Sequence, residues 1–98
     1  MLVRTVRMTF RKDKVEEFLS VFEDTKQNIR GFEGCQHLEL LEDHDKPNVF
    51  MTYSHWDDEY SLEAYRHSKI FKNVWSQTKP LFSDKPVALS FKPKSSTD

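Results

Sequence analysis

The sequence predicts an α+β domain with the element order β-α-β-β-α-β. Three observations lead to it. Hydrophobicity alternates with a period of two near both ends of the chain and twice in its middle. Between those stretches it recurs at helical spacing over two segments. The joints between segments carry turn and capping residues instead of long linkers. At 98 residues the chain holds one domain.

Residues 2–10, LVRTVRMTF, place Leu2, Val6, Met8 and Phe10 on one face, with Arg4 among them, and Val3, Thr5, Arg7 and Thr9 on the other. Alternation in β-branched and aromatic residues is a strand signal. Asp13 followed by Glu16 has capping-box spacing. Val15, Phe18, Leu19, Phe22 and Ile29 continue at helical spacing, so a helix is expected over 13–30 with its stop at Gly31. After the turn GFEG, residues 35–42 set Leu38 and Leu40 on one face and Cys35, His37, Glu39 and Leu41 on the other. The polar cluster 43–48 joins this strand to VFMTYSHW, 49–56, as a hairpin. A symmetric turn sets His37 opposite His55. Asp57 and Asp58 end the strand and can cap a short helix over 58–67, and Ser68 can cap a second. There Ile70, Phe71, Val74, Trp75 and Thr78 form one stripe, and Pro80 ends it. VALSF, 87–91, is the last strand. The domain is expected over 1–92, followed by a polar tail, 93–98.

This order is the ferredoxin-like, split βαβ pattern: an antiparallel four-stranded sheet with both helical segments on one face. The other face needs a cover. In strand 49–56 both residue sets carry large groups, Val49, Met51, Tyr53 and His55 against Phe50, Thr52, Ser54 and Trp56. A water-facing sheet side would be uniformly polar. A chain this short buries only about 60–65% of its unfolded surface. A homodimer through the sheet face is therefore expected.

Composition narrows the function. Fifteen Lys and Arg against 16 Asp and Glu give a net charge of -1, which disfavours nucleic acid as the main partner. No apolar run approaches a membrane span, and the N-terminus lacks a signal peptide's apolar core, so a soluble cytoplasmic protein is expected. The single cysteine excludes an internal disulfide and a Cys-based zinc site. With 2 Gly in the chain there is no glycine-rich phosphate loop.

Three stretches carry a resemblance: GFEGC, 31–35; YSHWDDEYSLEAY, 53–65; and RHSKIFKNV, 66–74, leading to KPLF. Together they resemble the antibiotic biosynthesis monooxygenase family, a branch of the dimeric α+β barrel proteins. Its pattern P-G-C, then W-x-S/D-x-E-A-L-x-A-H-x-x-S-x-x-F, is met in register at Trp56, Asp58, Leu62, Ala64, Ser68 and Phe71. The resemblance spans about residues 1–92. It departs where the family's proline and histidine are Glu33 and Tyr65 here. At the positions that heme-degrading members fill with Asn, Trp and an axial His, this chain has Val6, Tyr65 and Trp75. Heme degradation is accordingly not expected.

The resemblance implies a monooxygenase that works without a cofactor on a small aromatic, quinol or polyketide-like substrate. Such chemistry needs an apolar pocket for a flat ring and a group to take or hold one proton. The expected pocket lies between sheet and helices, with Arg4, Val6, Met8, Trp56, Phe71 and Trp75 as binding residues and Arg4 as an anion clamp. Candidate bases or donors are His37, His55, Tyr65 and His67. Each also has a plainer reading: the tryptophans and Met8 as core, His67 as a solvated helix end, Arg4 as the partner of Glu39 or Glu63, Cys35 as a small buried hydrophobe. A cross-strand His37–His55 pair as a metal site lacks a third ligand and is not favoured. A non-catalytic module for small ligands, or an isomerase using one histidine, needs the same kind of pocket and stands as the alternative.

Overall fold

The computed structural model describes residues 1–97. Strand β1 (Leu2–Thr9) leads through a single 3-10 turn into α1 (Val15–Arg30). The hairpin β2 (Cys35–Glu42) and β3 (Val49–Trp56) follows. Two short helices, α2 (Glu59–Arg66) and α3 (Lys69–Thr78), then lead back to β4 (Val87–Phe91). The strands form one sheet in the order β2-β3-β1-β4, antiparallel throughout. This is the α+β, ferredoxin-like arrangement that the sequence predicts. Residues 92–97 carry no regular structure, and Asp98, the last residue of the expected tail, lies outside the described residues.

Local chemistry explains the joints. Asp58 caps α2, its carboxylate accepting from the Ser61 N–H at 2.7 Å. Ser68 caps α3, its hydroxyl accepting from the Phe71 N–H at 3.1 Å. Asp13 does not cap α1 as expected. The 3-10 turn over Lys12–Lys14 absorbs that position, and Lys14 stands at the helix start with no side-chain cap. Gly31 closes α1 with an ordinary φ of -81°. The left-handed residue of the 31–34 turn is Gly34, at φ 92°.

The hairpin register is the symmetric one, with His37 opposite His55. A bulge between Cys35 and His37 corrects one sequence expectation. The extra residue, Gln36, turns Cys35 off the His37 face, so that it packs at 3% exposure beside Trp56, Ile29, Leu62 and Tyr65. Burial there pushes the thiol's pKa up, so the group behaves as a small hydrophobe.

The core fills the space between the sheet and the helices in two clusters. Met8, Phe10 and Phe50 meet Phe18 and Leu81 in one. Cys35 and Trp56 meet Ile29, Leu62 and Tyr65 in the other. Aromatic rings supply most of the contact. Phe10 stacks on Phe18 at 4.0 Å between ring centres. A second run of rings passes from Trp56 to Tyr65, Phe71, Trp75 and Phe82 at 5.1 to 5.8 Å. No helix among the described residues is long and apolar enough to cross a membrane.

Candidate functional site

The two clusters do not close completely on each other. Between them lies a cavity of about 100 Å³, floored by the sheet and roofed by all three helices. Its floor follows from strand parity. Arg4, Val6 and Met8 come from β1, and Thr52, Ser54 and Trp56 from β3. The roof is Phe18, Phe22 and Ile29 of α1, Leu62, Tyr65 and Arg66 of α2, and Val74, Trp75 and Thr78 of α3. Residues three, four or seven apart on one helix share a face, which is why these sets converge.

Few polar groups reach this space. The Trp56 Nε1–H donates to the Ser54 hydroxyl at 3.0 Å, and that hydroxyl donates in turn to the Arg4 carbonyl at 3.4 Å. The Thr78 hydroxyl is spent on the Val74 carbonyl at 2.8 Å. Tyr65 is 9% exposed, and its burial, with a smaller contribution from Cys35, raises the phenol's pKa well above the ordinary value. At neutral pH it is a hydrogen-bond donor and not a base. Arg4 reaches past the floor and donates from Nη1 to the Ser90 hydroxyl at 3.0 Å.

Six of the ten site residues expected from sequence therefore line one cavity: Arg4, Val6, Met8, Trp56, Tyr65 and Trp75. Phe71 stands behind it, stacked on Trp75 and edge-on to Tyr65. The three histidines lie elsewhere. His37 and His55 project from the opposite sheet face, their ring centres 5.0 Å apart, with His37 Nε2 2.8 Å from Glu39 Oε1. His67 ends α2 in solvent, 3.6 Å from Glu63. The physical reason for the first two is parity. Trp56 faces the helices, so its neighbour His55 and the residue paired with it must face away. No set of three or more His, Cys, Asp or Glu side chains assembles into a metal site among the described residues. Sequence reasoning misses Phe18, Phe22, Ile29, Leu62, Arg66, Val74 and Thr78 as lining residues and leaves Thr52 and Ser54 unused. The helical stripe and the even-numbered face of β3 carry the signal for all but Arg66.

A sequence model of the family described as antibiotic biosynthesis monooxygenase matches residues 1–75. The chain belongs to the antibiotic biosynthesis monooxygenase family. No curated protein matches the sequence. Among solved structures, an antibiotic biosynthesis monooxygenase superposes with a TM-score of 0.91 at 14% identity, covering 97% of this chain and 100% of that one. A conserved protein from Methanosarcina mazei Go1 gives 0.89 at 20% identity, covering 96% and 94%. Rv0793 from Mycobacterium tuberculosis gives 0.89 at 16% identity, covering 99% and 98%. At such identities these likenesses establish the fold alone. Within this family member, Val6, Tyr65 and Trp75, which the resemblance aligns with the heme-binding Asn, Trp and His, all line the cavity, and none brings an imidazole to it.

Proposed function

We propose that this protein is a monooxygenase that needs no cofactor and oxidises a small aromatic, quinol or polyketide-like substrate. The observation that carries the reading is the cavity: a narrow aromatic space that holds the Thr52 and Tyr65 hydroxyls and the Arg4 guanidinium, which keeps donors beyond the one given to Ser90. The Trp56–Tyr65 stack and Trp75 offer a flat ring apolar faces to lie against. Once ionised, an electron-rich phenol passes one electron to O₂. The resulting radical and superoxide combine at ring carbon, and loss of water leaves a quinone. One O₂ per phenol balances this as quinone plus one water. The protein's share is to hold the ring, stabilise the anion and exclude bulk water.

Oxygen uptake with a panel of phenols and quinols tests the proposal. One O₂ should be consumed per substrate turned over, and labelled O₂ should place one atom in the product. Uptake across no member of the panel removes the oxygenase reading. The lack of a neutral-pH base in the cavity favours one second reading, a binding module for a small aromatic ligand. Binding without uptake would establish that instead. The same lack weakens an isomerase built on a single histidine.

We also propose that the working unit is a homodimer joined through the outer sheet face. Leu41, Val87, Leu89 and Phe91 are 42 to 51% exposed there, a degree of apolar exposure that monomers usually avoid. On the same face His55 Nε2 is shielded from solvent and has no hydrogen-bond partner among the described residues, a state that costs about 1–3 kcal/mol until a partner arrives. Light scattering at micromolar concentration should give twice the chain mass, and the double variant Leu89→Asp/Phe91→Asp should give one. A wild-type monomer would remove the claim.

A further inference from the structure

One end of the cavity carries a charge that no described carboxylate pairs directly. Arg4 is half-buried, and among the described residues its one side-chain partner is the neutral Ser90 hydroxyl. Among the described residues no carboxylate lies in ion-pair reach of it. Neither pairing expected from sequence forms. Glu39 is on the far sheet face beside His37, and Glu63 is held by Arg66 Nη1 at 2.7 Å. Arg66 itself lines the cavity. A second hollow of about 420 Å³ opens at this corner, sharing Arg4 and Arg66 and adding Glu59, Glu63 and Lys92. Cations outnumber carboxylates across the corner by one, and Arg4 is the innermost of them.

Burial and the neighbouring Arg66 both lower the pKa of Arg4, Glu63 only partly offsetting them. A guanidinium stays charged regardless. A charge kept half out of water without a partner is unfavourable until an anion meets it. The planar fork suits a carboxylate or an enolate-type oxygen. The rest of the cavity wall accepts an apolar body and, in Tyr65 and Thr52, offers donors.

We propose that the ligand binds as an anion: a single-ring or similarly small apolar body whose carboxylate, phenolate or enolate oxygen sits against Arg4 with Arg66 at the mouth. This rests on reading the cavity as the substrate site. It deepens that reading by assigning the proton-removal step. No lining side chain takes a proton at neutral pH, so the protein selects the ionised form from solution, and an acidic phenol or enol is the substrate class that supplies it. Arg4 holds the negative charge that O₂ later draws upon.

The two tryptophans both line the cavity, so the two indole N–H signals of a ¹⁵N-labelled sample report on binding directly. The probes are 4-methylbenzoate and its neutral isostere 4-methylbenzamide. Wild-type protein should bind the carboxylate about tenfold more tightly or better, the weight of one charge-assisted hydrogen bond. Arg4→Gln should bring the two probes together. Arg4→Lys should keep part of the preference, and Arg66→Gln should reduce it less than Arg4→Gln does. Equal affinities in the wild type, a preference untouched in Arg4→Gln, or no indole shift by the carboxylate up to its solubility limit would each overturn the proposal. The wild-type comparison needs no variant to fold. Anion preference without oxygen uptake leaves this inference standing and removes the oxygenase. Uptake on neutral substrates with no anion preference does the reverse.

Discussion

Replacing Trp56 with alanine should cost about 3–5 kcal/mol, the range for deleting a buried large aromatic. The side chain is 1% exposed and is one of the two largest fully buried groups. Its ring stacks on Tyr65 at 5.1 Å and meets Phe32 edge-on at 6.4 Å. Its N–H is the donor that satisfies the buried Ser54 hydroxyl. Alanine removes all three contacts and leaves a hole continuous with the existing cavity, so the surroundings have little to collapse onto. A domain of this size holds about 5–15 kcal/mol in total. The variant should therefore melt on the order of 15 °C lower or more, read by thermal and urea unfolding. Trp56→Phe separates the contributions. It keeps a ring against Tyr65 and loses the donor, and should cost about 1–2 kcal/mol. A Trp56→Ala variant within about 1 kcal/mol of wild type would mean the second cluster contributes little to the core.

The same residue shows why most of the fold is legible in the sequence and part of the site is not. Trp56 ends an alternating strand, and its even-numbered companions Thr52 and Ser54 follow from parity alone. The His37–His55 register is equally readable, because turn residues 43–48 leave equal arms on both sides. Parity also decides which way the histidines point. Choosing His55 as a base by its chemistry conflicts with placing Trp56 under the helices, and the structure resolves the conflict in favour of geometry. The Gln36 bulge is not legible. An extra residue changes no local hydrophobic pattern, yet it moves Cys35 from one face to the other. Arg66 escapes for another reason. A basic residue in the last turn of a short helix reads as a solvated end, and only the tertiary position of α2 brings it over Arg4.

Gly34 is where the turn, the hairpin and α2 constrain one another, and Gly34→Ala should cost about 2–4 kcal/mol. Its φ of 92° lies in a region that side chains disfavour, and a Cβ built there falls 2.4 Å from both Cβ and Oγ of Ser61. Neither partner can retreat freely. The Gly34 carbonyl accepts from the Asp57 N–H at 2.8 Å, and the Ser61 N–H is held by the Asp58 cap at 2.7 Å. A double-mutant cycle divides strain from clash. Ser61→Gly clears the space and costs about 0.5–1 kcal/mol as a helix glycine. If the clash dominates, Gly34→Ala/Ser61→Gly should be less damaging than the sum of the singles by about 1–2 kcal/mol. Additive costs would assign the penalty to the backbone instead. Gly31→Ala is the control, since its φ is ordinary and its new Cβ meets only the Gln27 carbonyl, at 3.1 Å. The larger consequence is functional. To relieve the contact in Gly34→Ala, α2 must move away from the 31–34 turn, carrying Leu62, Tyr65 and Arg66 with it. The Trp56 indole signal should then shift and the preference for 4-methylbenzoate should fall, with Arg4 itself untouched. A neutral Gly34→Ala, in stability and in both signals, would show that α2 is free to slide, and that the cavity's roof is not fixed by this turn.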